Sequence, residues 1–388
     1  MTTPDVLVVG GGIFGISAAL ELEKSGARVL LLEPGPIPHP DASTTDISKL
    51  VRVDYGVDDF YVDLMERALP RWRAYDEELD QSVFHETGIL LLSHDSLSAE
   101  TFEGASHRTL AARGYELERL AKDRLAARFP AWRADAFADS YYNPVGGWAE
   151  SGVLLAALAQ SARRRGVDIR EGVRVRPRAA DARGARVTLE SGDTLEAGAV
   201  VIAAGAFTPT LLPKLADRLF AVGQPVYHFE VPSEPAYAES AFPPWAADIA
   251  RTGFYGFPPH AGVLKIANHG PGIRVDPSAP RVVSASTEPM FRAFLRAALP
   301  SVAGARVVRT RLCLYCDSFD GDFFIDRDPE DPSVVVAAGG SGHAFKFAPV
   351  LGELIANAVA GRAEARFRWR ELGERRFEGA RHAGTTQT

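Results

Sequence analysis

The chain has 388 residues, is 46% hydrophobic, and carries 43 basic and 50 acidic side chains for a formal charge of -7. That composition suits a globular protein with core enough for two domains and excludes a disordered chain. The arginines between positions 163 and 186 are interrupted by Asp168, Glu171 and Asp181 and form no basic block, which argues against nucleic acid as a partner.

Residues 1–5 lack a basic leader, and the apolar run that follows is soon broken by glycines, so neither a signal peptide nor a membrane span is expected and the location reads as cytoplasmic. The apolar run Val6–Val9 leads into Gly10-Gly11-Gly12-Ile13-Phe14-Gly15, an Ala/Leu-rich stretch at 16–22, and a second apolar run at 27–32 closed by Glu33. This is the pattern of a dinucleotide-binding βαβ unit. Gly10 permits the tight turn, Gly12 lets backbone approach a pyrophosphate, and Gly15 allows close helix-to-strand packing, with the positive helix N-terminus facing the phosphate charge. Glu33 is spaced to accept hydrogen bonds from a ribose.

Farther along, 153–164 predicts a helix, Val173 and Val175 a short strand, and 186–190 with 193–197 a hairpin. The dense apolar run 199–203 predicts a strand buried on both faces, ending at Gly205 where backbone passes close to something. The pattern returns at 334–338, which runs into Gly339-Gly340-Ser341-Gly342 and a helix at 349–360. These three stretches predict one nucleotide-binding sheet. Segments 84–93, 140–148, 227–231, 254–257 and 263–266, rich in aromatic and β-branched residues, suit an antiparallel sheet in a second domain. A cleft between the two is the expected site. The small, polar tail at 378–388 is expected to fray. Only Cys313 and Cys316 are present, too few for a disulfide framework or a four-cysteine zinc site, and no metal is expected.

The glycine fingerprint does not distinguish nicotinamide from flavin, but later motifs do. They are Ser48-Lys49-Leu50-Val51-Arg52-Val53-Asp54-Tyr55-Gly56, His85-Glu86-Thr87-Gly88, Phe254-Tyr255-Gly256-Phe257-Pro258, Lys265 with His269, Cys313-Leu314-Tyr315 with Asp320, and Gly342-His343-Ala344-Phe345-Lys346. On these motifs the chain resembles the amine-oxidising flavoproteins that include monomeric sarcosine oxidase, L-pipecolate oxidase, N-methyltryptophan oxidase and the fructosyl amino acid oxidases. The resemblance implies FAD, oxidation of a C–N bond in a small-molecule amine, oxygen as acceptor with hydrogen peroxide as by-product, and a monomer. The fold expected is α/β (α+β), a Rossmann-like FAD-binding domain (1–82, 145–218 and 318–388) interleaved with a mixed antiparallel-sheet substrate domain (83–144 and 219–317).

The same resemblance implies roles for single residues. Cys313 is expected to carry a thioether to the flavin; the other readings are a buried cysteine or a CxxC redox pair with Cys316. Arg52 and Lys346 match the positions that clamp a substrate carboxylate, the arginine as a fork and the lysine as a point charge. Their apolar neighbours point to burial and hence to a partner. Lys49 falls near the flavin's central ring. Lys265 matches a lysine that assists the reaction with oxygen, where a fixed cation stabilises developing negative charge; a lysine at a strand edge is the plain alternative. His269 matches an active-site histidine, and Tyr255 and Tyr315 would line the substrate pocket.

The expected cofactor contacts begin with the loop Gly10, Gly12, Ile13, Phe14 and Gly15, followed by Glu33, Ser43, Ser48 and Lys49. Arg52, Val173, Gly205 and Cys313 come next, then Gly339, Gly342, His343 and Lys346. The favoured substrate is an N-alkyl or cyclic secondary amino acid of the L-pipecolate or sarcosine type, with a fructosyl amino acid as runner-up. A tailoring oxidase of a biosynthetic pathway, a flavin dehydrogenase with another acceptor and a flavin-binding redox sensor remain the alternatives.

Overall fold

Val6–Val9 is apolar at every position and buried on both faces, which places it inside a sheet. The computed structural model describes residues 3–179 and 181–373. In it a six-stranded sheet runs in the order Phe324–Asp328, Asp331–Ala338, Ala199–Ile202, Val6–Val9, Val29–Glu33 and Asp168–Glu171. All pairs are parallel except the first, with Val8 opposite both Val201 and Leu31, and Val201 opposite Val335. Val8, Leu31, Val201 and Val335 belong to the core shared with the helices Ile13–Lys24, Ser151–Arg164 and Ala348–Val359. Leu7, Leu30, Val200 and Val336 face a second core with Leu219, Cys316 and Phe324. The three apolar stretches therefore do meet in one sheet.

The strand expected at Val173 and Val175 lies earlier, at Asp168–Glu171. Gly172, at φ +74°, turns the chain out of the sheet. Val173 keeps a bond from its N–H to Glu33 O at 3.0 Å, and Val175 forms only an isolated bridge with Leu189.

A nine-stranded sheet carries the rest. Its centre is the long strand Leu219–Glu230, paired with Val307–Ser318 on one side and with Val263–Asn268 and Ile273–Arg274 on the other. It continues through Phe254–Gly256, Trp245–Ala247, Ile89–Ser93, Asp139–Asn143 and Glu118–Arg119. The sheet is antiparallel except where Trp245–Ala247 runs parallel to Ile89–Ser93. Two segments expected in it are elsewhere. Phe84–His85 and Gly147–Ala149 join Lys49–Val51 in a separate three-stranded sheet, which brings Lys49 and Arg52 between the two large sheets.

The helix Asp59–Glu78 is not expected from the sequence, because Pro70 inside it breaks the pattern by which a helix is recognised. Among the described residues no helix is long and apolar enough to cross a membrane. The tail expected to fray lies outside the described residues.

Candidate active site

The glycine loop shows which of its glycines the protein itself requires. A Cβ on Gly15 would stand 1.8 Å from Gly10 O, and one on Gly10, whose φ is +111°, would stand 2.4 Å from Ala203 O. Gly12 is different, since the nearest atom to a Cβ there is Thr44 Oγ1 at an ordinary 3.6 Å. Its missing side chain leaves open space at the start of the helix Ile13–Lys24, the arrangement a phosphate needs. Glu33 closes the loop from below, its Oε2 accepting from Gly11 N at 2.6 Å. Burial raises the Glu33 pKa, and bonds from Gly11 and Gly35 oppose that rise. Ile13 N donates to Thr44 Oγ1 at 3.1 Å, and Phe14 meets Phe323 edge-on at 6.1 Å.

A Cβ on Gly205 would meet no protein atom within 4 Å, so its φ of +54°, not close approach within the protein, is what glycine serves there. Gly339 also has positive φ, +70°. The Ser43 hydroxyl donates to Leu314 O, tying the loop at 39–45 to the strand that carries Cys313. Open space at Gly12, an acid at the end of the second strand and unobstructed Gly205 fit FAD.

Lys49, Arg52, Tyr255, Lys265, His269, Tyr315, Gly342, His343 and Lys346, all singled out from sequence, line one cavity together with Ser48. Leu50, Ile249, Phe257 and Phe345 complete the lining and were not singled out; in sequence they are indistinguishable from core residues. The three-stranded sheet contributes the Ser48 to Arg52 segment, the nine-stranded sheet and the ends of its strands the tyrosines, Lys265, His269, Ile249 and Phe257, and the segment after Asp331–Ala338 contributes Gly342, His343, Phe345 and Lys346. Among the described residues no Asp or Glu lines the cavity.

Arg52 is 4% exposed and lies over the rings of Tyr55 (4.9 Å) and Phe102 (5.4 Å). Its buried Nη1 has no hydrogen-bond partner among the described residues. A guanidinium nitrogen left so is costly unless a ligand pairs with it. Lys346 is buried as expected, but its partners are neutral: Nζ donates to Tyr55 OH at 3.1 Å and to His343 O at 2.9 Å. Burial, then the nearby Arg52 and Lys49, hold its pKa well below the usual lysine range.

His343 Nδ1 lies 3.1 Å from Tyr55 OH and Nε2 lies 3.1 Å from Gly321 O. A carbonyl can only accept, so Nε2 carries the proton and Nδ1 accepts from Tyr55. Burial, reinforced by Lys346, pushes the His343 pKa well down, which agrees with a neutral ring. The ring also packs on Tyr61 and Phe323, at 5.0 and 4.9 Å.

Lys265 lies on the interior strand Val263–Asn268, opposite His228, so the strand-edge reading does not hold. Its Nζ stands 2.7 Å from Asp46 Oδ2 and 4.6 Å from the Phe257 ring centre, and donates to Ser48 O. Burial lowers its pKa to about 8 even with Asp46 beside it. For Asp46, burial acts upward, but the positive charges of Lys265, Lys49 and Arg311 prevail and the carboxyl is held well below its ordinary value. Asp46 was missed in the sequence; a lysine within an apolar strand calls for a counter-charge, but nothing local says where that charge is. Tyr255 OH and Tyr315 OH lie 3.4 Å apart, and the His269 ring is 5.7 Å from that of Tyr315. Gly342 has φ +75°, and a Cβ there would strike the Tyr315 ring at 2.2 Å.

Residues 5–358 match the family described as DAO, FAD dependent oxidoreductase. The chain belongs to that family. It is similar to monomeric sarcosine oxidase of Bacillus sp. (strain B-0618), 29% identical over 370 residues and 93% of each chain. It is similar also to L-saccharopine oxidase of Schizosaccharomyces pombe, 29% identical over 94% of this chain and 93% of that one. Among solved structures, NikD, described as an unusual amino acid oxidase essential for nikkomycin biosynthesis, superposes with a TM-score of 0.81 at 25% identity, over 97% of this chain and 99% of that one. The protein is thus an FAD-dependent oxidoreductase.

In this oxidoreductase Cys313 is buried on the same strand face as Tyr315, against Val226 and Ala267. Cys316 lies on the opposite face, in the core with Leu219 and Val336. Side chains three apart on a strand point to opposite faces, which removes the CxxC redox reading. Burial pushes the Cys316 thiol up to about 12, an inert core cysteine.

Proposed function

We propose that this flavoenzyme oxidises the C–N bond of a secondary amino acid, passing two hydrogens from the CH–NH unit to oxygen to give an imine and hydrogen peroxide. The observation that carries the reading is the convergence of Lys49, Arg52 and Lys346 on a cavity that, among the described residues, no carboxylate lines and in which none of them partners Arg52 Nη1. Such a site wants an anion: the carboxylate of an amino acid pairs with the arginine fork, and its negative charge favours the protonated form of Lys346, which then adds a point charge. The same positive field depresses the pKa of the substrate ammonium and favours the neutral amine. Tyr255 and Tyr315 flank the substrate, with His269 beside them. The likeness to sarcosine and saccharopine oxidases supports this substrate class.

FAD, when bound, supplies the two-electron acceptor that oxygen then reoxidises. In this reading Gly10, Gly12, Ile13, Phe14, Gly15, Glu33, Ser43, Val173 and Gly205 hold its nucleotide end. Ser48, Lys49, Gly339, Gly342 and His343 hold the flavin end, and Cys313 bonds to it. Lys265 provides the fixed cation on the oxygen side. Segments 1–82, 145–218 and 318–388 bind the cofactor, 83–144 and 219–317 the substrate, and the protein works as a monomer, as the name of its sarcosine oxidase relative supports.

The test is peroxide production from L-pipecolate, sarcosine, N-methyl amino acids, L-proline and fructosyl-valine, with flavin absorbance followed in parallel. Peroxide from one of the secondary amino acids is the expected result. Bleaching of the flavin without peroxide in air would overturn the oxidase reading, and turnover of fructosyl-valine alone, a secondary amino acid whose nitrogen carries a sugar, would overturn the preference for the L-pipecolate or sarcosine type.

A further inference from the structure

Lys265 and Asp46 are each 2% exposed at the side chain and 2.7 Å apart. The environment of the pair is otherwise cationic or neutral. Lys49 lines the same cavity, and Arg311 acts on Asp46 from the strand Val307–Ser318, which also carries Cys313. His228, from the strand Leu219–Glu230, has Nε2 3.7 Å from Asp46 Oδ1, but that nitrogen lies 3.2 Å from Arg309 Nη2. A guanidinium can only donate, so Nε2 is the acceptor and has no proton to offer Asp46. The charge of Asp46 is therefore directed to Lys265.

Asp46 is also held still. Its N–H donates to Ser151 Oγ (3.2 Å), and its carbonyl accepts from Ser151 Oγ and from Gly152 N (both 2.9 Å) at the start of the helix Ser151–Arg164. Ile47 N donates to its Oδ1 at 2.8 Å, leaving Oδ2 for the lysine. With Ser48 O and the Phe257 ring, the lysine nitrogen sits in a cage built to hold a cation.

We propose that Asp46 is a positioning residue of the oxidative half-reaction, which keeps Lys265 charged and in place at the cavity where oxygen reacts. The proposal rests on the role given to Lys265 above. Without the carboxylate, burial and Lys49 would discharge the lysine at neutral pH.

The experiment photoreduces the flavin anaerobically in wild type, Lys265→Met, Asp46→Asn and the double variant, then measures reoxidation by oxygen across a range of pH. Wild type is expected to slow as pH rises through about 8. In Asp46→Asn the fall is expected at least about one pH unit lower, which makes reoxidation at the wild-type midpoint at least about 5-fold slower. The double variant should be no slower than Lys265→Met, because Asp46 acts through the lysine. Coincident pH profiles for wild type and Asp46→Asn, or a double variant slower than Lys265→Met, would overturn the proposal. Lys265→Met reoxidising at the wild-type rate would instead overturn the reading of Lys265.

A second readout is independent of turnover. A lysine whose folded pKa lies below its unfolded value makes stability rise with pH between the two. The pH at which the melting temperature starts to rise should move down in Asp46→Asn, relative to the double variant as baseline; an unmoved onset overturns the proposal. If the asparagine variant does not fold, Asp46→Glu carries the test. It keeps the charge and should keep the wild-type pH profile, and a profile displaced downward by a unit or more overturns the assignment.

Discussion

The side-chain nitrogen of Lys346 donates to the Tyr55 hydroxyl at 3.1 Å, joining two residues far apart in the chain. That bond starts a chain of fixed direction: Tyr55 OH donates to His343 Nδ1, and His343 Nε2–H donates to Gly321 O. Tyr55→Phe would leave a buried imidazole nitrogen unpaired and remove one of the two acceptors that hold Lys346. The expected cost is about 1–3 kcal/mol of stability, read as a lower melting temperature, together with a several-fold rise in KM. Wild-type stability and KM in the variant would show that the chain positions nothing.

Arg52→Lys keeps the charge and removes the fork. Losing a charge-assisted hydrogen bond of about 1.5–3 kcal/mol corresponds to a rise of roughly 10- to 150-fold in KM for a carboxylate-bearing substrate. The same substitution should change KM little for the corresponding amine without a carboxylate. Steady-state kinetics on the two substrates separates loss of the clamp from general damage to the cavity.

Cys313→Ala tests the flavin linkage. After acid precipitation, wild type should keep its yellow colour in the pellet and the variant should release it to the supernatant. Complete release from wild type would mean that Cys313 is a core cysteine only.

Glu103 is 1% exposed, accepts from Ile249 N at 2.7 Å, and is pushed by burial up to about 7. Because its folded pKa exceeds the unfolded one, the folded state binds more protons between about 4.5 and 7, and the stability present below that window is lost as pH rises through it. Glu103→Gln, which keeps an acceptor for Ile249 and cannot ionise, should therefore be more stable than wild type above pH 7, by up to roughly 3 kcal/mol. The gain should vanish near pH 4. Denaturant melts at the two extremes of pH measure it, and an equal difference at both would exclude ionisation as its cause.

The glycine loop and the three apolar strands were readable in the sequence because each is a local demand, either a turn that only glycine can make or a run buried on both faces. Arg52, Lys265 and Lys346 were readable as candidates through their motifs. Their partners were not. Asp46, Tyr55 and Glu103 are ordinary polar residues in sequence, and only folding brings Asp46 to Lys265 and Tyr55 to Lys346.

By itself, then, the sequence determined the nucleotide-binding unit, the family and the identity of the charged residues that face the cavity. The tertiary structure alone decided that Phe84–His85 and Gly147–Ala149 leave the large sheet, that Cys313 and Cys316 face opposite ways, and which buried charge answers which. The reason is physical: backbone conformation is set largely by neighbours in the chain, whereas the cost of burying a charge is settled by whatever the fold places within a few ångströms of it.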